Sequence, residues 1–153
     1  MLLAQGCVSS DVSADSKTKE EVVLALPTDA AVPTKILRAI WFPNANGFGS
    51  GAWSPLEHAD GVLVVAGDKL WFMTWNDREH HYDAQKSVDV IAAEKVSIET
   101  LGTTSMLVVR AANQSSDAFE LMQGGQLASD PKVTRELLDL IEDLRSRHPA
   151  SEL

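Results

Sequence analysis

The sequence predicts a mainly β protein, an antiparallel sandwich or barrel closed by one C-terminal amphipathic α-helix. Between Gly61 and Met122, short runs of β-branched, bulky and aromatic residues alternate with turn-forming residues at near-regular spacing. That is the texture of an antiparallel sheet whose strands return through tight turns. After Asp130 the period changes, and Val133, Leu137, Leu140, Ile141 and Leu144 recur at helical spacing. One apolar stripe of this kind has to pack against something. A length of 153 residues with 44% apolar side chains suits one domain with a core of its own.

The elements follow in chain order. Residues 1–21 read as a start and polar tether, 22–148 as the single domain and 149–153 as a tail. Glu20 to Leu26 is a short apolar run closed by Pro27, either a helical turn or an edge strand, and periodicity does not decide between them. Lys35 to Phe42 reads as a strand stopped by Pro43-Asn44, and the Gly-, Asn- and Ser-rich stretch up to Gly61 as a loop. Val62–Ala66 and Lys69–Trp75 are strands joined by the tight-turn pair Gly67-Asp68. Glu79–Asp83, Val88–Ala92, Val96–Leu101, Met106–Ala111 and Ala118–Met122 follow as further strand segments, with Gly102-Thr103 and Asn113–Ser116 as turns. Asp130-Pro131 starts the helix, the carboxylate serving free N–H groups and the proline preset for the first turn. Arg145, Arg147 and His148 complement the negative end of its dipole. The open end of the β-structure is the natural seat for the helix.

Roughly seven antiparallel strands and a C-terminal helix are the element order of pleckstrin-homology-like (PH-like) domains, and residues 61–122 carry the resemblance most sharply. Gly61 to Phe72 resembles the GRAM and bacterial PH-like pattern: a glycine, an apolar strand, a polar turn, then a basic residue with apolar and aromatic neighbours. Ile91 to Ile98 resembles the strand–turn segment that follows in that family. The resemblance implies a binding module. Lipid-binding members use Lys and Arg around the first hairpin, whereas the matching segment here, Asn44 to Trp53, has no basic residue. Phosphoinositide recognition is therefore not expected, and protein or peptide recognition stays open.

Charge excludes other partners. Thirteen Lys and Arg against 22 Asp and Glu leave a net charge of −9 with no basic cluster, so neither nucleic acid nor an anionic membrane surface is expected to bind through charge. A single cysteine excludes an internal disulfide and a cysteine-based zinc site. It stands in Leu2-Leu3-Ala4-Gln5-Gly6-Cys7-Val8-Ser9-Ser10, which resembles the lipobox of bacterial lipoproteins. The resemblance implies lipidation of Cys7 and, with Val8 rather than Asp after it, outer-membrane sorting. Ala4 departs from the usual leucine three positions before the cysteine, and only Met1 to Ala4 precede Gln5. A signal peptide needs an apolar stretch of about 7–15 residues, so lipidation requires a longer leader. Otherwise Cys7 is an incidental thiol and the module is cytoplasmic.

Chemistry-bearing groups are few. Gly47, Gly49 and Gly51 superficially resemble a phosphate cradle, but Trp53-Ser54-Pro55 cannot open the helix such a cradle needs. Phe48 and Trp53 in the same loop are either tucked into the core or offered to a partner. Glu79, His81 and Asp83 share a strand face and are weak candidates for a metal, with His58 the plausible recruit; a solvated hairpin is the plainer reading. In Lys69 to Trp75 both faces are apolar, Leu70 and Phe72 on one and Trp71, Met73 and Trp75 on the other. The second face is covered by residues 20–45 or the C-terminal helix, or it is an exposed stripe for a protein partner or self-association. No catalytic residue and no cofactor are assigned. The expectation is a non-catalytic interaction module of the bacterial cell envelope, membrane-tethered through Cys7, the alternative being a small-ligand or metal-binding carrier.

Overall fold

The structure, a computed structural model, describes residues 16–43, 45, 57–122 and 129–148. Helix α1 (Ser16–Ala25) is followed by strands β1 (Pro33–Phe42), β2 (Ala59–Ala66), β3 (Lys69–Asn76), β4 (His81–Asp89), β5 (Lys95–Leu101), β6 (Thr104–Arg110) and β7 (Ser116–Met122), then by helix α2 (Pro131–Ser146). The strands form one antiparallel sheet of seven in the order β4-β3-β2-β1-β7-β6-β5.

The sheet curls on itself about β1. Strands β3 and β7 stand three places apart in the order, about 14 Å along a flat sheet, yet the rings of Phe72 and Phe119 are 6.3 Å apart. Asp117 fastens the curl: its Oδ1 accepts from Trp41 Nε1 at 2.8 Å, and its Oδ2 pairs with Lys86 Nζ of β4 at 3.6 Å. The enclosed core holds Leu37, Leu63, Leu70, Phe72, Leu107, Phe119 and Leu121, and α2 adds Val133, Leu137, Leu138 and Ile141. The expected stripe is therefore the buried face of α2, with Leu140 and Leu144 at its margin and Leu138 joining it. Asp130 caps the helix, accepting from Lys132 N at 2.9 Å and Val133 N at 3.3 Å. Arg145 does more than complement the dipole: Nη1 donates to Val90 O at 2.6 Å and Ala93 O at 2.8 Å, pinning the β4–β5 connection to the helix.

Two expectations are corrected. Glu79–Asp83 and Val88–Ala92 are not separate strands but the flanks of one strand, β4, with turns on either side. Asn76 Oδ1 takes the N–H groups of Arg78 and Glu79, and Asp89 Oδ1 takes those of Ile91 and Ala92. Both are side-chain-closed turns that end strand pairing. The sequence hid this because β4 is a polar edge strand, bulged opposite Phe72 and Met73, without an alternating apolar pattern to read. The two-residue turns did match. Gly67 and Gly102 lie at φ 64° and 62°, the first central position of hairpin turns where a Cβ would be strained.

The undecided run Glu20–Leu26 is helical, and α1 begins at Ser16, within the stretch read as a tether. Five consecutive apolar residues, Val22 to Leu26, turn through about 100° each, so no single contact can bury them all. Val22 and Leu26, one turn apart, close over Ile36, Val62, Val64 and Met73 on the outer face of the sheet. Val23 and Leu24 are left outward.

Candidate interaction site

The β3–β4 hairpin carries six of the predicted site residues, Trp71, Met73, Trp75, Glu79, His81 and Asp83. Asn76 closes the turn with its backbone carbonyl, which accepts from His80 N at 2.8 Å, and with its side chain. His80 is held at φ 57°, a left-handed backbone that non-glycine residues adopt only when surroundings fix it. The Asn76 amide also reaches across the strands to Asp83 Oδ2 at 3.0 Å. His81 then lies between two carboxylates, Nε2 at 2.9 Å from Glu79 Oε2 and Nδ1 at 3.2 Å from Asp83 Oδ1. Nδ1 also lies 3.1 Å from the Tyr82 carbonyl oxygen. The hydrogen bond to Glu79 first, then the Tyr82 carbonyl and the charges of Asp83 and Glu79, raise the pKa of His81 above the usual imidazole value, against a smaller opposing effect of desolvation.

Glu79, His81 and Asp83 thus meet as predicted, but as an ion-paired triplet in which the carboxylates and a carbonyl engage both ring nitrogens. Among the described residues no group of three or more His, Cys, Asp and Glu is arranged to hold a metal ion. His58, the proposed recruit, lies instead tilted against Phe42, with the ring centroids 5.8 Å apart.

The aromatic stripe is not a continuous surface. Met73 is 0% exposed, sealed by α1, and Trp71 is half-buried against the same cluster. Helix α1, which overlaps the segment 20–45 expected as one of two covers, therefore closes over Met73 while Trp75 stays open. Trp75 is the most open of the three, at 39% exposure, with Tyr82 edge-on at 5.1 Å. Phe48, Trp53, the Gly47–Gly51 loop and Cys7 lie outside the described residues.

Beside Tyr82 the chain forms a feature that the sequence did not announce. A groove of about 580 Å³ runs between α1 and the start of β4, lined by Glu21, Leu24, Ala25, His81, Tyr82 and Asp83 among others. Leu24 on its rim is 84% exposed and Val23 on the same helix 51%. Glu20, Glu21, Glu79 and Asp83 give the surroundings an acidic character that Lys19 only partly offsets. The signal for this site was the uninterrupted run Val22–Leu26, longer than one buried helix face can absorb.

No protein-family model matches the sequence, and no curated protein matches it. The chain is similar in structure to a solved structure of Vav1 inhibited by an allosteric inhibitor, at 9% sequence identity and a TM-score of 0.54. The match covers 92% of this chain and 36% of the Vav1 chain, so the protein spans about a third of the length of that neighbour. Vav1 contains a PH domain. With the seven-stranded curled sheet and the C-terminal helix, the fold is PH-like.

Proposed function

We propose that the chain is a non-catalytic recognition module that binds a protein segment in the groove between α1 and β4. The occupant has an apolar side chain to meet Leu24 and Val23, flanked by Lys or Arg to meet Glu20, Glu21, Glu79 and Asp83. The observation that carries the reading is Leu24, a large apolar side chain left 84% exposed on the rim of an acidic groove. Such a side chain gains nothing for the folded monomer, whereas an apolar anchor with a charged rim is how protein interfaces concentrate binding energy. Both nitrogens of His81 being engaged by neighbours supports a binding role over a proton-transfer one.

The address rests on the sequence around Cys7. The proposed module is lipid-anchored in a bacterial cell envelope, with the outer membrane as its sorting destination. Two acyl chains make such an anchor firm, at roughly 0.8 kcal/mol for each buried methylene.

The test uses peptide display against the immobilised protein. Enriched peptides carry an apolar residue between basic ones, and Val23→Ser with Leu24→Ser abolishes their binding while the fold is unchanged. Enrichment without that pattern, or binding indifferent to the double substitution, overturns the groove. Mass spectrometry of the native protein tests the anchor separately: acylated Cys7 supports it, and an unmodified thiol removes it.

A further inference from the structure

A second feature stands on β5, β6 and β7, none of which lines the groove beside α1. The antiparallel register sets Lys95 opposite Arg110, and Arg110 opposite Ser116. Directly opposed residues share a face, so the three side chains form a row across three strands. Two cations placed cross-strand destabilise a sheet unless a counter-charge stands between them. Among the described residues neither Lys95 nor Arg110 forms an ion pair. Beside them Ser116 is 2% exposed, and its hydroxyl is buried without a hydrogen-bond partner, a condition that native interiors seldom leave unanswered. All three residues line one cavity of about 60 Å³. At about 30 Å³ for a water in the liquid, that is room for one tetrahedral oxyanion. The wall also contains Glu99, whose Oε2 accepts from the Ser97 hydroxyl at 3.0 Å.

We propose that this cavity is a binding site for inorganic phosphate. Lys95 and Arg110 supply charge and N–H donors, with the planar guanidinium fork suited to two oxygens at once. The Ser116 hydroxyl donates to a third oxygen and is no longer orphaned. Glu99 accepts from the acidic proton of monohydrogen phosphate, a proton that sulfate lacks at neutral pH. The bound ion separates the two cross-strand cations that otherwise repel.

The experiment is an amide NMR titration of the whole chain with phosphate, sulfate and glycerol 3-phosphate at constant ionic strength, paired with thermal unfolding. Phosphate produces saturable shifts at Arg110 and Ser116 and raises Tm, because a ligand that binds only the folded state stabilises it. Sulfate does neither at the same concentration. Lys95→Gln with Arg110→Gln, both at exposed positions, abolishes the shifts. Ser116→Ala folds at least as stably without phosphate and binds it about tenfold more weakly, as expected for one lost hydrogen bond to a charged group. Equal responses to phosphate and sulfate, an affinity unchanged in Ser116→Ala, or tighter binding of glycerol 3-phosphate than of the free ion would each overturn the proposal.

Discussion

The two helices show how differently a short amphipathic segment can serve one sheet. Helix α2 has a proline-led, Asp130-capped start, and its buried residues return every three or four positions into the enclosed core. Helix α1 has no proline in its first turn, and its apolar residues run consecutively. It covers the outside of the sheet with Val22 and Leu26 and leaves Val23 and Leu24 in water. The first arrangement completes a core, and the second shields part of a face while presenting the remainder. A helix of the second kind is where a binding surface can exist at little cost to the fold.

The largest expected effect breaks the comparison at its core side. Leu137→Ala removes a fully buried side chain shared by α2 and the sheet, and is expected to cost about 2–5 kcal/mol in denaturant unfolding. Val22→Ala removes an equally buried side chain under α1, but from a smaller cluster at the outer face, and is expected to cost about 1–2 kcal/mol. If the two losses are equal, α1 is as integral to the core as α2, and the distinction fails. Asp130→Ala then asks whether the cap accounts for the definition of α2. Loss of the bonds to Lys132 N and Val133 N is expected to cost about 1 kcal/mol, read as a shift in the unfolding midpoint. A change within about 0.5 kcal/mol, the range of ordinary surface substitutions, would show that packing alone holds this helix.

The same contrast explains what was legible in the sequence. Helix α2 was readable because cap, period and end charges agree with its packing, the consistency that makes local signals informative. The hairpins at Gly67-Asp68 and Gly102-Thr103 were readable because a positive φ at the first turn position selects glycine. Strand β4 was broken into two because its edge position removes the alternation that marks a half-buried strand. Helix α1 was ambiguous because Val22 to Leu26 fits either period. Strand β3 was read as apolar on both sides; α1, which overlaps one of the two covers considered, closes over Met73, so Trp71, Met73 and Trp75 do not form the continuous exposed stripe that was the other reading. The groove was legible only as a surplus of apolar residues in the run Val22–Leu26, and the Lys95–Arg110–Ser116 row not at all. Each joins residues that only register and curl bring together, and no spacing along the chain encodes either.

The smallest expected effect concerns the hairpin that faces α1 across the groove. Glu79, the Tyr82 carbonyl and Asp83 raise the pKa of His81 above 6.5 in the folded protein, so the native state binds this proton more tightly than the unfolded chain does. The stabilisation is fully present below about pH 6.5 and fades as pH rises through the raised folded value. His81 is half exposed, and solvent screening keeps the contribution small. The stability advantage of the wild type over His81→Gln is therefore expected to be larger at pH 5.5 than at pH 8.5, and the imidazole NMR titration to fall above the ordinary histidine value. Binding in the proposed groove is expected to show the opposite trend. As His81 loses its charge, Glu79 and Asp83 are no longer neutralised, and a basic segment binds the groove more tightly at the higher pH. Helix α2 has no counterpart to this behaviour, because its buried face is apolar apart from Thr134. A His81 titration at or below 6.5 would mean that the carboxylate pairs do not persist in solution, and the pH trend in binding would go with them.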